Sequence, residues 1–173
     1  LDVLHAMIER GIGHLPVVEH GRLVGMITQT DLTRVQANST SVLIHDIAAA
    51  ETVAQMAAVT ARIPDLLVSL VAAHQRHEVV TRLITDIADA VTRRLLVMAQ
   101  AQLGPAPAPW LWAACGSQGR QDQTGVSDQD NLMILADDAD PDDPWFADLA
   151  RFVCDGLNAA GYVYCPGDMM ATN

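Results

Sequence analysis

The chain has 173 residues, half of them hydrophobic and 18% charged, enough to bury a core and too apolar for a disordered tail. Its ten basic residues, all Arg, stand against 21 acidic ones, and the imbalance is local: residues 110–173 hold 11 acids and two bases. An acidic third of this kind argues against a broad nucleic-acid face, so neither DNA nor RNA is expected as a partner.

Cys115, Cys154 and Cys165 are an odd number without metal-site spacing. They disfavour a disulfide framework and fit a reducing compartment, so a cytoplasmic location is expected. No uninterrupted apolar run reaches the roughly 18 residues that span a bilayer, and no charged-then-apolar leader opens the chain. No membrane partner is expected. The start at Leu1 and the stop at Asn173, just after a Cys165-Pro166-Gly167 turn, read as a piece of a longer protein.

In chain order, residues 1–36 read as helix, strand, strand, helix. Val3, Leu4, Met7 and Ile8 recur at helical spacing, and Gly11 marks a stop. Leu15–Val18 and Leu23–Ile27 are short apolar runs joined by hairpin-forming Glu19-His20-Gly21-Arg22. Thr30 or Asp31 is expected to cap a brief helix ending near Gln36, and the polar stretch within residues 37–44 to be a linker. Residues 45–103 look all-helical, with Pro64 and Asp65 in the first turn of one helix. A longer helix carries Val80, Leu83, Ile84, Ile87, Val91, Leu95 and Met98, and Gly104-Pro105 ends it. Pro105–Pro109 is a stiff spacer that closes the helical connector at 109. In residues 110–173, Trp110–Cys115 and Leu132–Leu135 read as buried strands around a polar loop. An acidic turn at Asp137–Asp143, a helix over 144–160 and a strand near Tyr162-Val163-Tyr164 follow.

The chemistry concentrates in that polar loop. Gly116-Ser117-Gln118-Gly119-Arg120 follows the first strand, and Ser127-Asp128-Gln129-Asp130 enters the second, 11 residues separating Ser117 from Asp128. Gly-Ser after a strand gives a tight turn whose backbone N–H groups can face an anion. In an extended segment residues i and i+2 share a side, so Asp128 and Asp130 present two carboxylates together. Two like charges so close are costly unless a cation neutralises them, and hard oxygens suit Mg²⁺ or Mn²⁺. A D-x-D alone is more often an Asp-rich turn. The upstream Gly-Ser and the flanking apolar strands turn the balance toward a metal and phosphate site.

The run from Gly116 to Asn131, G-S-Q-G-R-Q-D-Q-T-G-V-S-D-Q-D-N, resembles the nucleotidyltransferase superfamily of the DNA polymerase beta kind. It is closer still to the nucleotidyltransferase domain found beside CBS and cyclic-nucleotide domains in bacterial signalling proteins, which is related to the N-terminal part of protein-PII uridylyltransferase. The likeness extends upstream through Arg82–Ile87, Thr92–Leu96 and Leu103-Gly104-Pro105, and downstream through Gly161-Tyr162, Cys165-Pro166-Gly167 and Met170–Asn173. It covers roughly residues 45–173. Gln118 stands where the family usually has Glu, and Asp168 where Gly is commoner.

Residues 1–36 resemble the later part of a CBS domain, through Gly13-His14-Leu15-Pro16 and the T-x-x-D of Thr28 and Asp31. In CBS domains those two side chains often contact the ribose of an adenine nucleotide, and a hydroxyl with a carboxylate suits a vicinal diol. The plainer alternative is that Thr28 and Asp31 only start the next helix.

The resemblance implies an α/β (α+β) fold: a partial CBS motif, a helical connector, then a polymerase-beta-like sheet with flanking helices over 110–173. It implies transfer of a nucleoside monophosphate from an NTP to an acceptor, possibly a protein hydroxyl as in protein-PII uridylyltransferase. Gly116, Ser117 and Arg120 would hold the triphosphate, and Asp128 and Asp130 the metal, as the catalytic pair. The competing class is a nucleotide-sensing module without turnover, because a complete site in this superfamily includes a third carboxylate. Asp168 is its one candidate before Asn173. A third option makes residues 45–103 a partner-binding or homodimerising module. His74 and His77 fit a solvated helix face better than a metal pair. Cys115 reads as a small core residue, and no chemistry is assigned to Cys165.

Overall fold

The computed structural model of the protein describes residues 2–125 and 127–173. Leu1, Val126 of the loop motif, and the side chains of Leu4 and Ile8 from the first helical stripe lie outside the described set. Helix α1 (Asp2–Glu9) leads into an antiparallel hairpin of β1 (His14–Glu19) and β2 (Arg22–Thr28). His20 and Gly21 both take positive φ in its two-residue turn, as the right-handed twist of the strands prefers.

Helix α2 runs without a break from Gln29 to Ala49. The expected stop near Gln36 and the linker after it are not present. Asn, Ser and Thr carry only weak penalties inside a helix, and packing outweighs them. Here Thr40, Leu43 and Ile47 are buried, the last two against the helices that follow. The cap also differs from expectation: Thr28 is the N-cap and Asp31 the third residue of a reciprocal capping box.

Helices α3 (Val53–Thr60), α4 (Ile63–Ala72) and α5 (His77–Leu103) complete the helical segment. Thr52 and Gln55 cap α3 reciprocally, and Pro64 and Asp65 occupy the first turn of α4 as the sequence suggests. The stretch Val53–Ala72 has a mean hydropathy of 1.3, in the range of a membrane span. It is nevertheless two helices of 8 and 10 residues, each far short of the roughly 20 residues a crossing needs. Met56, Ile63, Leu66 and Leu70 from them enter the core.

The C-terminal region holds β3 (Trp110–Ala114), α6 (Gly116–Arg120), β4 (Asp128–Gln129), β5 (Asn131–Leu135), α7 (Pro144–Ala159) and β6 (Val163–Tyr164). β3 pairs antiparallel with β5, and β4 parallel with β6. The strands are half-buried rather than buried: Leu111 and Ile134, directly opposite in register, both face outward. An antiparallel pair covered on one face alternates in this way. One hydrophobic cluster joins Ile47 of α2, Ile84, Ile87, Val91 and Leu95 of α5, and Leu149, Val153 and Leu157 of α7. The helical segment and the C-terminal region therefore share a core. They pack tightly at Gly156, where a β-carbon would stand 2.5 Å from Leu95 Cδ2.

Candidate functional site

Three chain segments converge at one end of the short strands. β3 passes into Cys115, whose N–H donates to the carbonyl of Asp130 at 2.8 Å, so the start of α6 emerges beside Asp130. Gly116 takes φ +53, and a β-carbon on it would lie 1.8 Å from Asp130 Oδ2. Glycine is needed there twice, for the backbone conformation and for the close approach of the carboxylate.

The alternation of Asp128-Gln129-Asp130-Asn131 explains how the acids are presented. Gln129 and Asn131 are buried. Gln129 Nε2 donates to the carbonyls of Cys154 and Tyr162 at 2.9 and 3.0 Å, anchoring the segment to α7 and the approach to β6. Asn131 Nδ2 donates to Gln129 Oε1 at 3.2 Å, and Asn131 Oδ1 accepts from Ala171 N at 2.9 Å. Two buried amides thus fix the strand from within and leave Asp128 and Asp130 on the opposite side.

The parallel register sets Asp128 beside Val163 and Gln129 beside Tyr164. Continued by one residue, it brings Cys165 alongside Asp130. Among the described residues, one carboxylate oxygen each from Asp128 and Asp130 and the sulfur of Cys165 all lie within 4.8 Å of one another. Neither carboxylate is paired with a cation or takes a hydrogen bond from a described residue. Two partly buried anions left in this state repel, and a divalent cation is the group that would relieve them. The donor set and the glycine cradle fit such a cation.

α6 is tied to the helical segment by polar contacts. Gln118 Nε2 donates to Asp89 Oδ1 at 3.0 Å and lies 3.4 Å from Thr92 Oγ1. Arg82 donates to both Asp86 and Gln121.

A family model described as "Putative nucleotidyltransferase DUF294" matches residues 61–173, more than half of the chain. The chain belongs to this nucleotidyltransferase family. A CBS-domain model matches residues 1–38, directly before it. No curated protein and no solved structure matches the chain.

The nucleotidyltransferase match takes in α4 and α5, so the contacts of Gln118 with Asp89 and Thr92 fall inside one family unit. Gly116, Asp128 and Asp130 come together as the sequence spacing suggests. Ser117 sits in the single turn of α6, where its carbonyl accepts from Asp122 N at 2.9 Å. Arg120, also on α6, is exposed and paired with Asp122 at 3.1 Å. Thr28 and Asp31 engage each other: Asp31 Oδ2 accepts from Thr28 N and Oγ1 at 2.9 and 2.7 Å, and Thr28 Oγ1 accepts from Asp31 N at 3.2 Å. Asp168 is exposed with φ +56 and does not join the described group around Asp128.

The residue that sequence reasoning missed is Cys165. It lies 35 positions beyond Asp130, and only the pairing of β4 with β6 reveals the approach. The usable signal was the Cys-Pro-Gly turn directly after a short apolar strand. The other two thiols behave differently. Cys154 is wholly enclosed, with its sulfur 3.6 Å from Asn131 Oδ1, and burial pushes its pKa up to about 11. Cys115 is the N-cap residue of α6 and is half-buried.

Proposed function

We propose that the chain transfers a nucleoside monophosphate from an NTP to an acceptor hydroxyl, with pyrophosphate leaving. The observation that carries this reading is the unpaired Asp128–Asp130 carboxylate couple held over the Gly116 cradle, in a member of a nucleotidyltransferase family. Asp128 and Asp130 would hold a divalent cation, Mg²⁺ or Mn²⁺. That ion would orient the α-phosphate and offset the charge that builds in the transition state. Gly116 and Ser117 would place backbone N–H groups against the triphosphate. Arg120 would reach the outer phosphates by exchanging Asp122 for them, a modest cost because the pair is exposed. Gln129 and Asn131 hold the two carboxylates still without touching the reacting groups.

The likeness to protein-PII uridylyltransferase suggests a protein side-chain hydroxyl as acceptor and a bacterial signalling role. In the CBS segment, Thr28 and Asp31 would turn part of their mutual hydrogen bonding toward the ribose diol of an adenine nucleotide. α2 runs from that cap as one continuous helix into the shared core at Ile47, a route from one site toward the other. The division into a CBS segment (1–36), a coupling helical segment (45–109) and a transferase region (110–173) belongs to this reading. So do a homodimer through the helical segment and a cytoplasmic location.

A second reading, nucleotide sensing without turnover, is favoured by one observation: the third group beside the carboxylates is a thiol and not a carboxylate. Incubation with each labelled NTP, Mg²⁺ or Mn²⁺, and cell extract separates the two. Label transferred to protein by the wild type and not by Asp130→Asn supports the transferase. Nucleotide binding without transfer supports the sensor.

A further inference from the structure

We propose that Cys165 is the third protein ligand of the metal centre and that its sulfur shifts the site's preference from Mg²⁺ toward more thiophilic ions such as Co²⁺ and Zn²⁺. The proposal rests on the reading that Asp128 and Asp130 hold a divalent cation. Metal–oxygen and metal–sulfur bonds of about 2.0–2.3 Å put three ligands of one tetrahedral ion roughly 3.3–3.8 Å from one another. Asp128, Asp130 and Cys165 offer ligand atoms that all lie within 4.8 Å of one another, close to that spacing. Side-chain movements of about 1 Å would close the site.

The surroundings of the thiol point the same way. Cys165 is 8% exposed and lies outside the cluster that joins α2, α5 and α7. Its sulfur makes no hydrogen bond to a described residue, and two carboxylates are its polar neighbours. A buried cysteine with a merely structural role behaves as a small hydrophobe, whereas this sulfur lies within 4.8 Å of two carboxylate oxygens. Its backbone is fixed on both sides. The β4–β6 register precedes it, and its own carbonyl accepts from Asp168 N at 3.1 Å to close the turn through Pro166 and Gly167. Cys154, by contrast, directs its sulfur to Asn131 and lies outside the group. On coordination a metal–sulfur bond forms and the thiol proton passes to solvent, giving two carboxylates and one thiolate around the ion. Thiolate favours Co²⁺ and Zn²⁺, whereas an all-oxygen set favours Mg²⁺ and Mn²⁺.

The test is titration of the reduced, metal-free 173-residue chain with Co²⁺, followed by competition with Mg²⁺, Mn²⁺ and Zn²⁺. A sulfur-to-cobalt charge-transfer band in the near ultraviolet is expected for the wild type and for Cys154→Ala, and should be lost in Cys165→Ser. Cys165→Asp, which restores a third charged ligand as oxygen, should bind without the band and move the Zn²⁺-to-Mg²⁺ preference at least tenfold toward Mg²⁺. Calorimetric Co²⁺ binding by the wild type without the band, or a band that survives Cys165→Ser, overturns the thiolate ligand and leaves the transferase reading standing. Absence of any divalent-cation binding by the folded wild type overturns both.

Discussion

The carboxylate of Asp130 occupies the space that a side chain on Gly116 would need, with Oδ2 only 1.8 Å from the ideal β-carbon position. Because the Cys115 N–H is bonded to the Asp130 carbonyl, the backbone beside this contact has little room to yield. A methyl group at 116 must therefore displace the carboxylate, and it must also accept a φ of +53, a strain of about 1–2 kcal/mol for a residue other than glycine. Gly116→Ala is expected to weaken Mn²⁺ binding at least tenfold and to lower the melting temperature by a few degrees. Calorimetric titration with Mn²⁺ checks the first effect. Unchanged affinity would show that the cradle does not position the acid.

Asp128→Asn has two expected effects of opposite sign. In the metal-free protein it removes half of an unpaired like-charge couple, so the melting temperature should rise or hold. With metal and nucleotide present it should lose the stabilisation that a bound ligand gives the wild type, about 2.7 kcal/mol at 100 times the dissociation constant. Asp138→Asn, in the exposed acidic turn, should change neither. Thermal melts with and without Mg²⁺ and NTP separate these cases, and matching behaviour of the two variants would dismantle the proposed metal site.

Much of the site was legible because its geometry is local. Alternation along an extended segment is enough to place Asp128 and Asp130 on one side, and a Gly-Ser after a strand is enough to place a turn. Contacts between distant segments were only partly legible. The motif spacing turns Asp130 toward Gly116 without saying how close the two come, and nothing near Cys165 says that β6 will pair with β4. α2 misled for a different reason: its polar middle looks like a linker, while Leu43 and Ile47 beyond it supply the packing that keeps the helix whole. The strands around the loop read as buried because every residue in them is apolar, but Leu111 and Ile134 face out from a sheet covered on one side.

The Thr28–Asp31 box means that substitutions there change helix stability as well as any nucleotide contact. Asp31→Ala removes a partner of both Thr28 N and Thr28 Oγ1, and loss of a helix cap costs about 1 kcal/mol. The variant should melt lower even without nucleotide. A binding defect is attributable to the ribose contact only if it exceeds that in Thr28→Ser, which keeps the hydroxyl and the cap. Melting curves paired with adenine-nucleotide titrations decide, and a nucleotide-free melting temperature equal to wild type would contradict the capping role.

Asn131 anchors the segment 169–171 on the side of the strand away from Asp128 and Asp130. In Asn131→Ala the amide of Ala171 and Gln129 Oε1 each lose a partner, a destabilisation of about 1–3 kcal/mol where the groups stay buried. Hydrogen exchange at Ala171 should quicken markedly, with a smaller change in α5. Protection at Ala171 equal to wild type would mean that the backbone bond from Asn131 N to the Met169 carbonyl suffices to hold the segment.

Alkaline pH should weaken the fold through two enclosed groups. Burial is the main cause that raises Cys154 from 9.0 to about 11. Burial, with the nearby charge of Asp89, likewise raises Tyr162, whose hydroxyl has no hydrogen-bond partner among the described residues. In both cases the native state favours the neutral form more than the unfolded state does. The stability linked to Cys154 is therefore fully present below about pH 9 and is lost as the pH rises through about 11. Chemical denaturation across that window should show a falling unfolding free energy. Cys154→Ala should start lower, because a buried sulfur is gone, and then fall less steeply, since one of the two groups no longer titrates. An equal slope in the variant and the wild type would remove Cys154 as a source of the alkaline loss and leave Tyr162 to account for it.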